Sequence, residues 1–370
     1  MNVDVLGRTL VQPAGQSKLA IADCDIHPRV RGYKDVYPWL AKRWQEHLEV
    51  FGAAHRQPME KGPAFPKAQP MASRRDAFPP GGGGPGSDLD FMRAQHLDPN
   101  NVELGILNPL TPSGQGFQNI ELGAAFCHAV NEWQVAVWTS REPRLKASVV
   151  VSYEDAAASV REIEHWAGHP DFAQVLLLSR ASEPLGQRRF WPIYEAAVAA
   201  DLPVAVHAFG YGGYPVTSGG WPSYYVEEGV GHAQCQQADL TSLVLEGVFE
   251  RNPKLRMIMV EAGFAWAPSL AWRLDAHWRK LRAEVPHLKR PPSEYIRGQV
   301  WFTTQPMEET EPRSRLRDII EWIGWDRLLF STDYPHWDYD DPTRCVSVPI
   351  TPEQRAQLFY ENAVRLFGAR

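Results

Sequence analysis

Apolar residues in this chain gather into short runs that alternate with longer stretches of helical period. The runs 19–23, 102–107, 145–151, 172–178, 202–207, 254–261, 300–304 and 326–332 are dominated by apolar side chains without strict alternation. Strands buried on both faces of a parallel sheet have this character. Between them, 121–139, 156–167, 192–200, 238–250, 267–282, 314–323 and 352–367 place apolar residues at helical spacing, as does 37–50 after the first run. Strands alternating with amphipathic helices predict an α/β fold. Eight such units in a chain of this length fit a closed (β/α)8 TIM barrel better than an open doubly wound sheet. The first strand is not followed by G-x-G-x-x-G, and no strand precedes Gly81-Gly82-Gly83-Gly84, so dinucleotide binding has no support.

Two stretches lack the rhythm. Residues 1–18 form a polar arm, and 52–100 is an irregular insertion rich in Pro and Gly after the first strand and helix. A lid or an oligomer arm is expected of the insertion ahead of a plain excursion, and the whole chain, 1–370, is expected to be one barrel domain.

Composition narrows the function. A hydrophobic share of 44% supports a sizeable core, and a net charge of -6 without long Lys or Arg runs argues against nucleic-acid or anionic-membrane partners. Cys24, Cys127, Cys235 and Cys345 are far apart and lack C-x-x-C spacing, which argues against a disulfide scaffold and a zinc knuckle. The start has no basic-then-apolar leader, and no segment is apolar for the thickness of a bilayer; a cytoplasmic protein is expected.

In a (β/α)8 barrel the carboxyl ends of the strands point at one mouth, where chemistry is built. The first run ends in Asp23-Cys24-Asp25-Ile26-His27-Pro28, which puts Asp23, Asp25 and His27 on one strand face. The second, third and fourth end in Asn108, Ser152 and Arg180, without an obvious ligand. The fifth ends on His207, the sixth on Glu261, the seventh in Thr303-Thr304-Gln305, and the eighth on Asp333, followed by Tyr334-Pro335-His336-Trp337. A single histidine at a strand end is ordinarily structural. Four strands ending in His or carboxylate at one mouth instead predict a divalent metal site made of Asp25, His27, His207 and Asp333.

At these residues the chain resembles the amidohydrolase superfamily, in the branch of aminocarboxymuconate-semialdehyde decarboxylase-like enzymes. The resemblance runs from Ala20 to Gly368 and is most specific at 23–28, 202–208, 246–251, 260–268 and 331–338. It implies a metal-holding barrel with ligands after the first, fifth and eighth strands, at Asp25, His27, His207 and Asp333. Two positions depart from the pattern. Asp25-Ile26-His27 stands where H-x-H or E-x-H is usual, and Glu261 stands where a histidine often ends the sixth strand.

The roles follow from residue type. Asp333 would bind the metal or accept a proton from metal-bound water, and His232 or His336, taken to lie on loops, would be the acid/base. Glu261 would bridge to a second metal, orient a ligand histidine, or pair with an arginine such as Arg180. Arg180 is also a candidate clamp for a substrate carboxylate, and Trp221 and Tyr224 would overhang the mouth and bind substrate, an oligomer interface being the competing reading. The leading function is a metal-dependent hydrolase or non-oxidative decarboxylase of a small carboxylated or cyclic substrate, with zinc foremost and manganese, iron or a second metal as alternatives. A dinuclear iron or manganese oxygenase (hydroxylase) or its partner subunit, and a non-catalytic metal-containing partner subunit, are the other readings. A homo-oligomer, or a hetero-oligomer with a related subunit, is expected.

Overall fold

The computed structural model describes residues 19–55, 72–211, 213–217 and 219–368; the arm 1–18 and part of the insertion lie outside the described residues. Eight parallel strands follow one another around the sheet in chain order: β1 (Ile21–Ile26), β2 (Val102–Leu107), β3 (Leu145–Val150), β4 (Phe172–Leu178), β5 (Val204–His207), β6 (Met257–Val260), β7 (Val300–Thr303) and β8 (Leu328–Leu329). The Cys24 N–H donates to the Phe330 carbonyl at 2.9 Å and the His27 N–H to the Tyr334 carbonyl at 2.8 Å, which brings the last strand back to the first. This is the (β/α)8 barrel expected from the sequence.

The near-continuous apolar character of the strands has its cause in this layering. All seven residues of β4 are buried, because helices cover the outside and side chains fill the inside. The helix Ser314–Ile323 shows the matching pattern: Leu316, Ile320 and Ile323 are buried and the other faces are polar. The Asp155 and Asn119 side chains accept backbone N–H groups at the starts of Ala156–Trp166 and Ile120–Trp133, fixing where those helices begin.

Two expectations are corrected. The last strand is two residues long rather than spanning 326–332, because the N–H groups of Ser331 and Thr332 donate to the side chains of Thr304 (3.2 Å) and Asp23 (2.9 Å) instead of a neighbouring strand. The helix expected over 238–250 runs from Tyr225 to Leu245 and is followed by a short turn, Val248–Arg251, beyond Gly247 at φ 81°. Its start is set by Glu227, whose carboxylate accepts the Ser223 and Tyr224 N–H groups. His232 is therefore on a helix, not on a loop. The described half of the insertion is ordered, with helical turns at Leu89–Met92 and Arg93–Leu97. It packs onto the barrel mouth: the Arg74 N–H donates to the Pro335 carbonyl, and Ser73 bridges to His336.

Candidate metal centre

Strand register sets the geometry. His207 is paired with Leu178 on one side and Val260 on the other, so Glu261 emerges next to His207 at the mouth. Asp25 and His27 arrive from the end of β1, and Asp333 from the segment after β8. Glu261 and Asp333 both have positive φ, 57° and 62°, a costly backbone for a residue with a side chain and one concentrated at functional sites.

Asp25, His27, His207 and Glu261 each offer one ligand atom within 4.8 Å of the others, and so do His27, Glu261, Asp333 and His336. Of the four ligands expected, Asp25, His27 and His207 therefore share one group with Glu261. Asp333 falls in the adjoining group, which has His27 and Glu261 in common with the first.

The imidazoles are oriented for a cation. His27 Nδ1 donates to the Asn108 carbonyl at 2.7 Å and His207 Nδ1 to the Ala208 carbonyl at 2.5 Å. Each ring thus turns its Nε2 toward carboxylates. His27 Nε2 lies 2.8 Å from Asp333 Oδ1 and 3.3 Å from Asp25 Oδ1; His207 Nε2 lies 3.0 Å from Glu261 Oε2 and 3.5 Å from Asp25 Oδ2. A nitrogen lone pair facing a carboxylate oxygen is repulsive unless a proton or a metal ion lies between. Among the described residues Asp25 Oδ2, His207 Nε2 and Asp333 Oδ2 are, moreover, buried without a hydrogen-bond partner. Buried polar atoms in that condition are costly, and a bound cation would satisfy the first two, which belong to one group of ligand atoms. The residues fit a divalent ion.

Titration follows the same logic. Burial works to raise the Asp25 carboxyl, but His27, His207 and the Asn108 amide together hold it well below its ordinary value. Burial works to lower His207, yet Asp25 and Glu261 raise it. Burial and then Glu261 push Asp333 well up, and burial raises Glu261 itself. His336 is lowered by burial, and His232 is lowered to about 4 by burial and by the charges of His207 and Arg180.

Sequence reasoning missed the supports. Asn108 donates from Nδ2 to Asp25 Oδ1 at 2.8 Å and accepts at Oδ1 from Ser148 (2.8 Å) and Gln174 (2.9 Å), so its amide is oriented by three bonds inside the barrel. Asp23, expected at the mouth, instead accepts from Thr332 N–H and Oγ and lies 2.8 Å from His96 Nε2, tying β1 to the segment after β8. His96 also stacks on Tyr334, centroids 4.6 Å apart. Gly86, from the insertion, passes so close that a Cβ there would sit 2.1 Å from the His27 carbonyl oxygen.

The remaining candidates are placed as follows. His336 stacks on His27 at 4.4 Å and donates from Nδ1 to Asp333 Oδ1 at 2.6 Å. Glu261 meets His207, its Oε2 3.0 Å from Nε2. Arg180 is buried and donates to the Tyr214 carbonyl. Trp221 and Tyr224 are exposed by 43% and 70%; the aromatic contact with Trp337, the neighbour of His336, is made by Tyr225.

An eight-stranded parallel barrel with N and O ligand atoms gathered at its carboxyl-end mouth defines a (β/α)8 protein with a cluster that fits a divalent ion. The chain belongs to the amidohydrolase family, whose model matches residues 22–369. It is 25% identical to the gamma-resorcylate decarboxylase of Polaromonas sp. over 298 residues, 76% of this chain and 87% of that protein. Among solved structures, 5-carboxyvanillate decarboxylase from Sphingomonas paucimobilis superposes with a TM-score of 0.67 at 20% identity, covering 94% of this chain and 99% of the other. The dihydroxybenzoic acid decarboxylase of Polaromonas sp., with bound manganese and the inhibitor 2-nitroresorcinol, gives 0.66 at 19% identity, covering 94% and 97%. Among the described residues no helix is long and apolar enough to cross a membrane, and the four cysteines are free.

Proposed function

We propose that this chain is a metal-dependent, non-oxidative decarboxylase of a small hydroxylated aromatic carboxylate. The observation that carries the reading is the pair of histidines, His27 and His207, whose Nδ1 atoms are tied to backbone carbonyls while their Nε2 atoms meet buried carboxylates. The decarboxylase relatives support this reaction over hydrolysis, oxygenation and a non-catalytic partner role. Asp25, His27 and His207 would hold the ion with Glu261 beside it, and a bound divalent ion supplies Lewis-acid polarisation of a substrate oxygen. Zinc was the first expectation from residue type; the manganese of the Polaromonas structure makes Mn2+ the first ion to test.

The chain's own residues handle the proton. Burial and the Glu261 charge push the Asp333 carboxyl up, and His336 Nδ1 donates to its Oδ1, which leaves Oδ2, without a hydrogen-bond partner among the described residues, to carry a proton. From Oδ2 the proton passes to the ring carbon bearing the carboxylate. The bond to that carboxylate then breaks, its electron pair returns to the ring, and CO2 leaves. His336, less buried than Asp333, reloads it from solvent. Tyr224, Val226 and Val230, exposed together at the start of Tyr225–Leu245, support the expected self-association.

The test is CO2 release from a panel of ortho-hydroxybenzoates by Mn2+-loaded protein in D2O without dioxygen. Release with one deuteron placed on the vacated ring carbon is expected, and D333N should lose it while retaining metal. Turnover that requires dioxygen would refute the proposal.

A further inference from the structure

In the outer helical layer, Ile120–Trp133 and Ala156–Trp166 bring His128, Glu132 and His165 together. Each offers one ligand atom, all within 4.8 Å of one another. His128 and Glu132 are four residues apart and share a helix face, with Nε2 3.9 Å from Oε1. The His165 ring meets the His128 ring edge-on at 5.3 Å.

Support from behind His128 separates this trio from an ordinary surface cluster. His128 Nδ1 lies 3.1 and 3.2 Å from the two carboxylate oxygens of Glu162. Glu162 is itself anchored, accepting from Asn131 Nδ2 at 2.9 Å and Trp166 Nε1 at 2.6 Å. A carboxylate held in this way keeps the proton on Nδ1 and turns the Nε2 lone pair outward, the arrangement that orients metal-bound histidines. A cleft of about 260 Å³, lined also by Cys127, Ser152 and Arg161, opens beside it and leaves room for an ion's water.

We propose that His128, Glu132 and His165 form a second, peripheral site for a borderline divalent transition ion, Zn2+ foremost, separate from the centre at the mouth. Two imidazoles and one carboxylate with an open fourth position match zinc, and hard ions such as Mg2+ or Ca2+ do not select two nitrogens. Ligand atoms about 2 Å from a tetrahedral ion lie roughly 3.4 Å apart, so the 3.9 Å pair closes with a small side-chain rotation. His165 is at the surface, where it can turn inward. The bound ion joins the helices that follow β2 and β3 and stabilises the folded state by linkage. It has no part in substrate chemistry.

The test begins with protein saturated with Mn2+, desalted and titrated with Zn2+ by calorimetry, with both metals counted by elemental analysis. One further zinc per chain, manganese retained and a higher melting temperature are expected. H165A, which removes an exposed side chain, and H128N, whose amide keeps a donor for Glu162 where Nδ1 stood, should each weaken that zinc at least tenfold, with mouth-bound manganese unchanged and wild-type melting temperature in chelator. Equal zinc affinity in wild type and H165A would overturn the proposal. So would zinc uptake that only replaces lost manganese.

Discussion

Asn108→Ala tests whether the centre is built by the barrel interior or merely by the ligands. Among the described residues, the Nδ2 bond to Asp25 Oδ1, 2.8 Å long, is the one hydrogen bond from a neutral side chain that fixes that carboxylate, and it leaves Oδ2 facing the site. Hydrogen bonds to charged groups contribute about 1.5–3 kcal/mol. Loss of a support behind a metal ligand costs about 10–100-fold in affinity, or roughly 1.4–2.7 kcal/mol. The His27 contact survives, because it is made by the Asn108 backbone carbonyl. Ser148→Ala is the control: it removes one bond to Asn108 Oδ1 while Gln174 keeps the other. It should cost on the order of 1 kcal/mol of stability and leave metal affinity within a few-fold. Competition against a chelating dye gives the affinity and thermal melting the stability. If N108A binds metal as tightly as wild type, or if S148A weakens it equally, the oriented-carboxylate argument fails.

Other outcomes follow from the same geometry. Gly86→Ala should reduce metal affinity although Gly86 is not a ligand, because its φ of 76° costs a side chain roughly 1–2 kcal/mol and the new Cβ would meet the His27 carbonyl at 2.1 Å; unchanged affinity and melting would contradict the packing. Metal binding near pH 7 should release protons, since Asp25 and Glu261 raise His207 in the metal-free site and that proton must leave; affinity should therefore rise with pH. Calorimetry in buffers of different ionisation enthalpy measures this, and zero release would remove the basis for it. Asp340, raised by burial to about 6, accepts the Met307 N–H at 2.8 Å. Its unfolded form ionises near pH 3.8 and its folded form near 6, so wild-type stability falls as pH rises across that window and is level above it. D340N keeps an acceptor for Met307 and escapes this fall, gaining at most about 3 kcal/mol over wild type by pH 7; melting curves at pH 4 and 7 that show no widening gap would refute it.

The fold and the first ring of the site were legible because both are written locally. Strands buried on both faces give continuous apolar runs, and a residue directly after such a run must emerge at the mouth; this located His27, His207, Glu261 and Asp333. The supports are not local. Asn108 meets His27 across 81 residues and His96 meets Asp23 across 73, and nothing near either residue in sequence marks the partner. Gly86 was illegible for the same reason: it is punctuation in the sequence, and only the folded chain sets it against His27. The first half of Tyr225–Leu245 was illegible because Val226 and Val230 are exposed, so it has no buried apolar stripe to read.

Glu261 is the position where sequence and site bear on each other most closely. A histidine there would add a further neutral or cationic ring beside His207; a glutamate adds negative charge to a cavity that already holds Asp25 and Asp333. Three crowded carboxylates cannot remain ionised together without compensation, and the raised titration of Asp333 and Glu261 expresses that conflict. A divalent ion held by Asp25, His27 and His207 would relieve it, as would a proton on Asp333. The substitution thus does more than replace one residue type by another: it adds a third carboxylate whose charge a cation or a proton must balance.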